Sequence, residues 1–167
     1  DGQDAAFFVK GGFGWHTDGT SACHVDAATF LYAVEVPKVG GDTLLCSTAT
    51  AYENIPQILK HQLSDLKMLC SFHAHNDPLS EADPDSHIPL TEEERLALPE
   101  VWHDIVQVHP VTGRTVLYMN FDPIEFDSVS LELGEEWLQQ ALAIATQEQY
   151  VYTHQWVPGD LLIWDNH

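Results

Sequence analysis

Gly14-Trp15-His16-Thr17-Asp18-Gly19-Thr20 decides what kind of fold this chain builds. The segment reads as a strand, and on a strand residues i and i+2 point to the same face. An imidazole (His16) and a carboxylate (Asp18) then project side by side, while Trp15 faces the other way and anchors the strand in the core. Gly14 and Gly19 bracket the pair, which suits a special turn or close backbone approach. Such a pair supplies two-thirds of the two-histidine, one-carboxylate face that holds non-haem Fe(II) and leaves the opposite side of the metal open. The plain alternative is a histidine packed beside Trp15 and hydrogen-bonded to Asp18.

Around this segment the pattern is one of strands broken by glycine and proline. Ala5-Ala6-Phe7-Phe8-Val9 reads as a short strand, and residues 27–36 as a buried one ending at Pro37. Val39-Gly40-Gly41-Asp42 turns the chain into the strand Thr43-Leu44-Leu45-Cys46. Residues 106–109 and 115–120 make a β-hairpin about Val111-Thr112-Gly113-Arg114. Tyr150 to Val157 alternates, and Pro158-Gly159-Asp160 leads into the apolar strand Leu161-Leu162-Ile163-Trp164. Two stretches have helical spacing: residues 51–67, with Pro56 in the first turns, and residues 134–147. Thr91-Glu92-Glu93-Glu94 is a capping box opening a short helix. Residues 73–90, polar and rich in proline and acids, read as a flexible loop or lid. The sum is a mainly β fold with helical insertions, a barrel or sandwich, in a single domain over residues 1–167. Both ends read as cut: the chain opens close to its first strand and stops just after an apolar one.

Six basic residues stand against 26 acidic ones, a formal charge of −20 that repels nucleic acid and anionic membrane alike. No apolar run is long enough to span a bilayer. Cys23, Cys46 and Cys70 are odd in number and far apart, which fits a reducing cytoplasm better than a disulfide framework. No nucleophile elbow, phosphate loop or dinucleotide fingerprint is present. Among ten histidines, His24 could join His16 and Asp18 in a hydrolytic zinc site. His73 and His75 are a same-face pair if extended. His103, His109 and His154 fit structural roles at least as well as ligand ones.

Three motifs in order complete the picture: Trp15-His16-Thr17-Asp18, then Gly40-Gly41-Asp42-Thr43, then Gly159-Asp160-Leu161-Leu162-Ile163-Trp164-Asp165-Asn166. Together they resemble the taurine dioxygenase-like (TauD/TfdA) family of Fe(II)- and 2-oxoglutarate-dependent dioxygenases, over almost the whole chain. The resemblance implies a double-stranded β-helix (jelly-roll) core, with His16 and Asp18 as iron ligands and Thr43 as a contact to the co-substrate 2-oxoglutarate. It implies hydroxylation of a small organic substrate with O2, releasing succinate and CO2. It also implies a further iron-binding histidine a few residues beyond Asn166, a position that His167 does not hold, and a more distant arginine for 2-oxoglutarate. Arg95 and Arg114 do not suit that role. Gly11-Gly12-Phe13-Gly14 lacks the polar residue that taurine-specific members carry there, and the scarcity of Arg and Lys disfavours a strongly anionic substrate. The competing expectation is a non-catalytic jelly-roll binding module that has lost its metal site. Association into a homo-oligomer is left open.

Overall fold

The computed structural model describes residues 14–22, 24–83, 88–120 and 122–167. The expected strand at residues 5–9 lies outside them. Nine strands and five α-helices alternate along the chain: β1 (Ala28–Tyr32), β2 (Thr43–Cys46), α1 (Thr48–Asn54), α2 (Gln57–Leu63), β3 (Lys67–Cys70), α3 (Phe72–Ala82), α4 (Glu92–Ala97), β4 (Val101–Asp104), β5 (Val106–Val108), β6 (Thr115–Leu117), β7 (Glu125–Phe126), α5 (Leu131–Ala145), β8 (Val151–His154) and β9 (Leu161–Asp165). The strands form four small antiparallel sheets: β1 with β9, β2 with β8, β5 with β6, and the three-stranded β4–β3–β7. The architecture is strands with helical insertions, and the described residues form no closed barrel.

Helix boundaries follow local chemistry. Ser47, Ser71 and Ser130 cap α1, α3 and α5 through their hydroxyls, and Thr91 and Glu94 close a capping box on α4. The single helix expected over residues 51–67 is instead two. Pro56 has no N–H to give and forces Ile55 into extended backbone (φ −67°, ψ 149°), so α1 ends there and α2 begins afresh. The end of that stretch is no helix at all: Lys67–Cys70 is β3, the central strand of its sheet, with Met68 and Cys70 fully buried.

The loop expected over residues 73–90 is corrected in the same way. Residues 72–82 form α3 despite Pro78 in its interior. Contacts from α4 hold it: Arg95 clamps Asp77 with bonds of 2.6 and 2.9 Å, and the Arg95 carbonyl meets His73 Nε2 at 3.2 Å. The expected burial of residues 27–36 also fails. The strand is shorter, and Phe30, Leu31 and Tyr32 are exposed.

The core lies between helices and sheets. Leu138, Ala141 and Ala145 on one stripe of α5 pack with Ala51 of α1, Leu59 and Leu63 of α2, and Ile55 between the two helices. Met68, Cys70, Leu117 and Phe126 close it from the strands, with Tyr118 just past the end of β6. Gly134 in α5 is there for want of space, because any Cβ would drive into the Phe126 ring.

Candidate metal and co-substrate site

His16 and Asp18 do not lie on a hydrogen-bonded strand. They sit in an irregular segment that enters a turn at Asp18, with Gly19 at φ 77° and Ala22 N–H bonded to the Gly19 carbonyl at 2.9 Å. The pair converges all the same: His16 Nε2 is 3.3 Å from Asp18 Oδ1.

The hydrogen bonds of each residue settle which atom is available. His16 Nδ1 lies 2.9 Å from the Gly14 carbonyl, which can only accept, so Nδ1 carries the proton. In the neutral ring Nε2 then bears a lone pair. Asp18 Oδ2 accepts from Thr29 Oγ1 at 2.7 Å and from Trp164 Nε1 at 3.2 Å. Its Oδ1 is left beside His16. Two ligand atoms about 2.1 Å from one metal and at right angles to each other would stand about 3 Å apart. The observed 3.3 Å fits a shared divalent ion. Trp15, expected to anchor the core on the far side, instead lines the same cleft as His16 and Asp18.

That cleft has a volume of about 530 Å³. Its apolar wall includes Leu45, Val116, Met119 and Leu142, and its rim carries Tyr152 and Arg114. Arg114 is ion-paired with Glu53 at 2.8 Å. Thr43 stands beside the cleft rather than in its lining, which on β2 begins at the next residue, Leu44. The Thr43 hydroxyl oxygen accepts from Trp156 Nε1 at 3.0 Å, so its own proton remains free to be donated.

One other ligand-like cluster borders the cleft. Ligand atoms of His109, Asp165 and His167 lie within 4.8 Å of one another, the only such group of three or more among the described residues. Its hydrogen bonds argue against a metal. His109 Nδ1 accepts from the Val111 and Thr112 amides, both at 3.1 Å, so the ring proton is on Nε2, which donates to Asp165 Oδ2 at 2.9 Å. Asp165 Oδ1 accepts from the His167 amide at 2.9 Å and lies 3.2 Å from its Nδ1. Desolvation pushes the Asp165 carboxyl up, but the bonds from His109 and His167 outweigh it and hold the group below the usual carboxylate range.

Other sequence candidates fall away. Among the described residues no third ligand group joins His16 and Asp18, so the zinc triad with His24 does not form. His73 and His75 sit on a helix with separate partners, the Arg95 carbonyl and Asp122. His103 Nε2 bonds the Thr20 carbonyl at 2.7 Å, and His154 Nε2 bonds Asp160 at 3.1 Å. Sequence spacing missed Thr29 and Trp164 as partners of Asp18, since only the register that sets Thr29 opposite Trp164 brings them there.

The chain combines strands and helices and brings a histidine and a carboxylate together at the wall of a cleft. It belongs to the taurine catabolism dioxygenase TauD, TfdA family, whose model matches residues 1–167. It is 32% identical over 152 residues to the alpha-ketoglutarate-dependent 2,4-dichlorophenoxyacetate dioxygenase of Cupriavidus pinatubonensis, covering 91% of this chain and 51% of that protein. It is 32% identical over 164 residues to the pentalenolactone F synthase of Streptomyces avermitilis, covering 90% and 52%. Among solved structures, AAD-2 in complex with Mn(II) and N-oxalylglycine superposes with a TM-score of 0.80 at 28% identity, covering 96% of this chain and 62% of that one. The chain thus spans about half the length of the curated relatives it matches.

Proposed function

We propose that this chain carries the metal-binding part of an Fe(II)- and 2-oxoglutarate-dependent dioxygenase that oxidises a small organic substrate with O2. The observation that carries the reading is the pairing of His16 Nε2, which bears the lone pair in the neutral ring, with Asp18 Oδ1 at 3.3 Å. Family membership and the alpha-ketoglutarate-dependent relatives support it, as does the likeness to a structure bound to Mn(II) and N-oxalylglycine. The four small sheets fit as parts of one double-stranded β-helix domain.

Bound there, Fe(II) would supply activation of O2 coupled to decarboxylation of 2-oxoglutarate to succinate. The protein's own tasks are to hold and to exclude. His16 and Asp18 would hold the ion from one side. Thr43, its oxygen engaged by Trp156, would turn its free proton toward a carboxylate oxygen of 2-oxoglutarate. The apolar wall of the cleft would shield the reacting carbon from water and suits a substrate with a substantial apolar body. The thiols of Cys46 and Cys70 are free, in keeping with a reducing cytoplasm. Among the described residues no helix is long and apolar enough to cross a membrane.

The test is succinate release by the full-length protein with Fe(II), O2, 2-oxoglutarate and a panel of aryloxyalkanoates, sulfate esters and taurine. Substrate-dependent succinate that disappears in His16→Ala supports the reading. If none forms above the His16→Ala background, the non-catalytic module takes its place.

A further inference from the structure

Asp18 does not face the cleft unaided. Its Oδ2 is held by two donors from opposite ends of the chain: the Thr29 hydroxyl at 2.7 Å and the Trp164 indole N–H at 3.2 Å. Thr29 and Trp164 are cross-strand partners in the β1–β9 pair, so both donors stand on one face of one sheet. A third residue sets the direction of the first bond. Thr29 has a single hydroxyl proton, and Asn166 places Oδ1 at 3.1 Å and Nδ2 at 3.0 Å from the Thr29 oxygen. The shorter bond to a carboxylate takes the proton, and Asn166 then donates its N–H to the Thr29 oxygen. Asn166 is 4% exposed, so water competes little for its amide.

We infer that Thr29, Trp164 and Asn166 are positioning residues that commit Asp18 to ligating through Oδ1 alone. The inference rests on the proposed metal role of His16 and Asp18. With Oδ2 occupied by two hydrogen bonds, the carboxylate cannot swing to offer both oxygens to an ion. It also cannot rotate away from His16 without breaking both bonds. Groups that orient a ligand in this way typically govern metal affinity by about 10- to 100-fold.

The experiment is calorimetric titration of the metal-free, full-length protein with Mn(II), paired with the visible absorption of the Co(II)-loaded protein. Thr29→Val removes the hydroxyl at constant shape, and Trp164→Phe removes the N–H but keeps an aromatic ring. Each is expected to weaken Mn(II) binding about tenfold or more and to change the Co(II) spectrum as Asp18 becomes free to offer both oxygens. Thr29→Ser, which keeps the hydroxyl, restores both. Thermal melts establish that the variants fold; should Thr29→Val fail, Trp164→Phe carries the test. Binding within twofold of wild type and an unchanged spectrum in the folded variants, with binding lost in Asp18→Ala, would overturn the positioning role and leave the metal reading intact. Unaltered binding in both His16→Ala and Asp18→Ala would overturn the metal reading and the inference with it.

Discussion

His109 donates its Nε2 proton to Asp165 Oδ2 across 2.9 Å, tying the β5–β6 hairpin loop to the end of β9. The same imidazole caps its own loop by accepting the amides of Val111 and Thr112. The bond therefore joins two elements that share no sheet.

A pH dependence follows from it. The Asp165 carboxyl is held below its usual range by His109 and His167. Below the ordinary carboxylate value the unfolded chain binds this proton before the folded one does. The stabilisation is therefore complete above that value and is lost as pH falls through the lowered one. Urea midpoints measured from pH 7 down to pH 3 are expected to fall more steeply in wild type than in Asp165→Asn. Parallel curves would count against it.

Gly134→Ala is expected to destabilise the protein. Alanine would gain about 0.5–1 kcal/mol in helix propensity, but its methyl group would press into the Phe126 ring, and overpacking costs about 1–3 kcal/mol. Denaturant melts should show a net loss, partly recovered by adding Phe126→Leu. A stabilised Gly134→Ala would mean that the ring gives way freely.

Tyr118 is fully buried, and its hydroxyl has no hydrogen-bond partner. Desolvation, with the nearby Cys70 and Asp18 charges, pushes its pKa up to about 12. Tyr118→Phe removes an unpaired polar atom while filling the same space, so stability should rise by about 1 kcal/mol. In wild type the ultraviolet phenolate signal of this residue should be absent at pH 10.

Thr43→Val removes the proton proposed to meet 2-oxoglutarate. A hydrogen bond to a charged group contributes about 1.5–3 kcal/mol, so the KM for 2-oxoglutarate should rise by about tenfold or more, with Thr43→Ser close to wild type. Steady-state succinate assays separate this from a general loss of kcat. An unchanged KM would return Thr43 to a purely structural role beneath Trp156.

Local chemistry made part of this molecule legible from sequence. The 106–117 hairpin, the strands Thr43–Cys46 and Leu161–Asp165, and the Thr91–Glu94 capping box all depend on neighbouring residues, and all are present. Lys67–Cys70 was hidden because Leu59, Leu63 and Leu66 carry a helical period up to its first residue, and only its pairing with β4 and β7 makes it a strand. Phe72–Ala82 was hidden by Pro78, whose cost is offset by contacts with Arg95 from a separate helix. At the site, the closeness of His16 and Asp18 was readable from spacing, although the strand from which it was read is an irregular segment and a turn. The groups that aim them were not, because Thr29 finds Trp164 and Asn166 through strand register.

The Trp164–Asp18 hydrogen bond spans 146 positions of sequence. A ribosome adding about 5–20 residues per second makes Asp18 roughly 7–30 s before it makes Trp164. Until β9 emerges, Oδ2 of the carboxylate has at most the Thr29 hydroxyl to hold it. The anchoring of Asp18 Oδ2 is thus timed by translation: a carboxylate made early waits for an indole made 146 positions later, and its second hydrogen bond forms only once β9 has paired with β1.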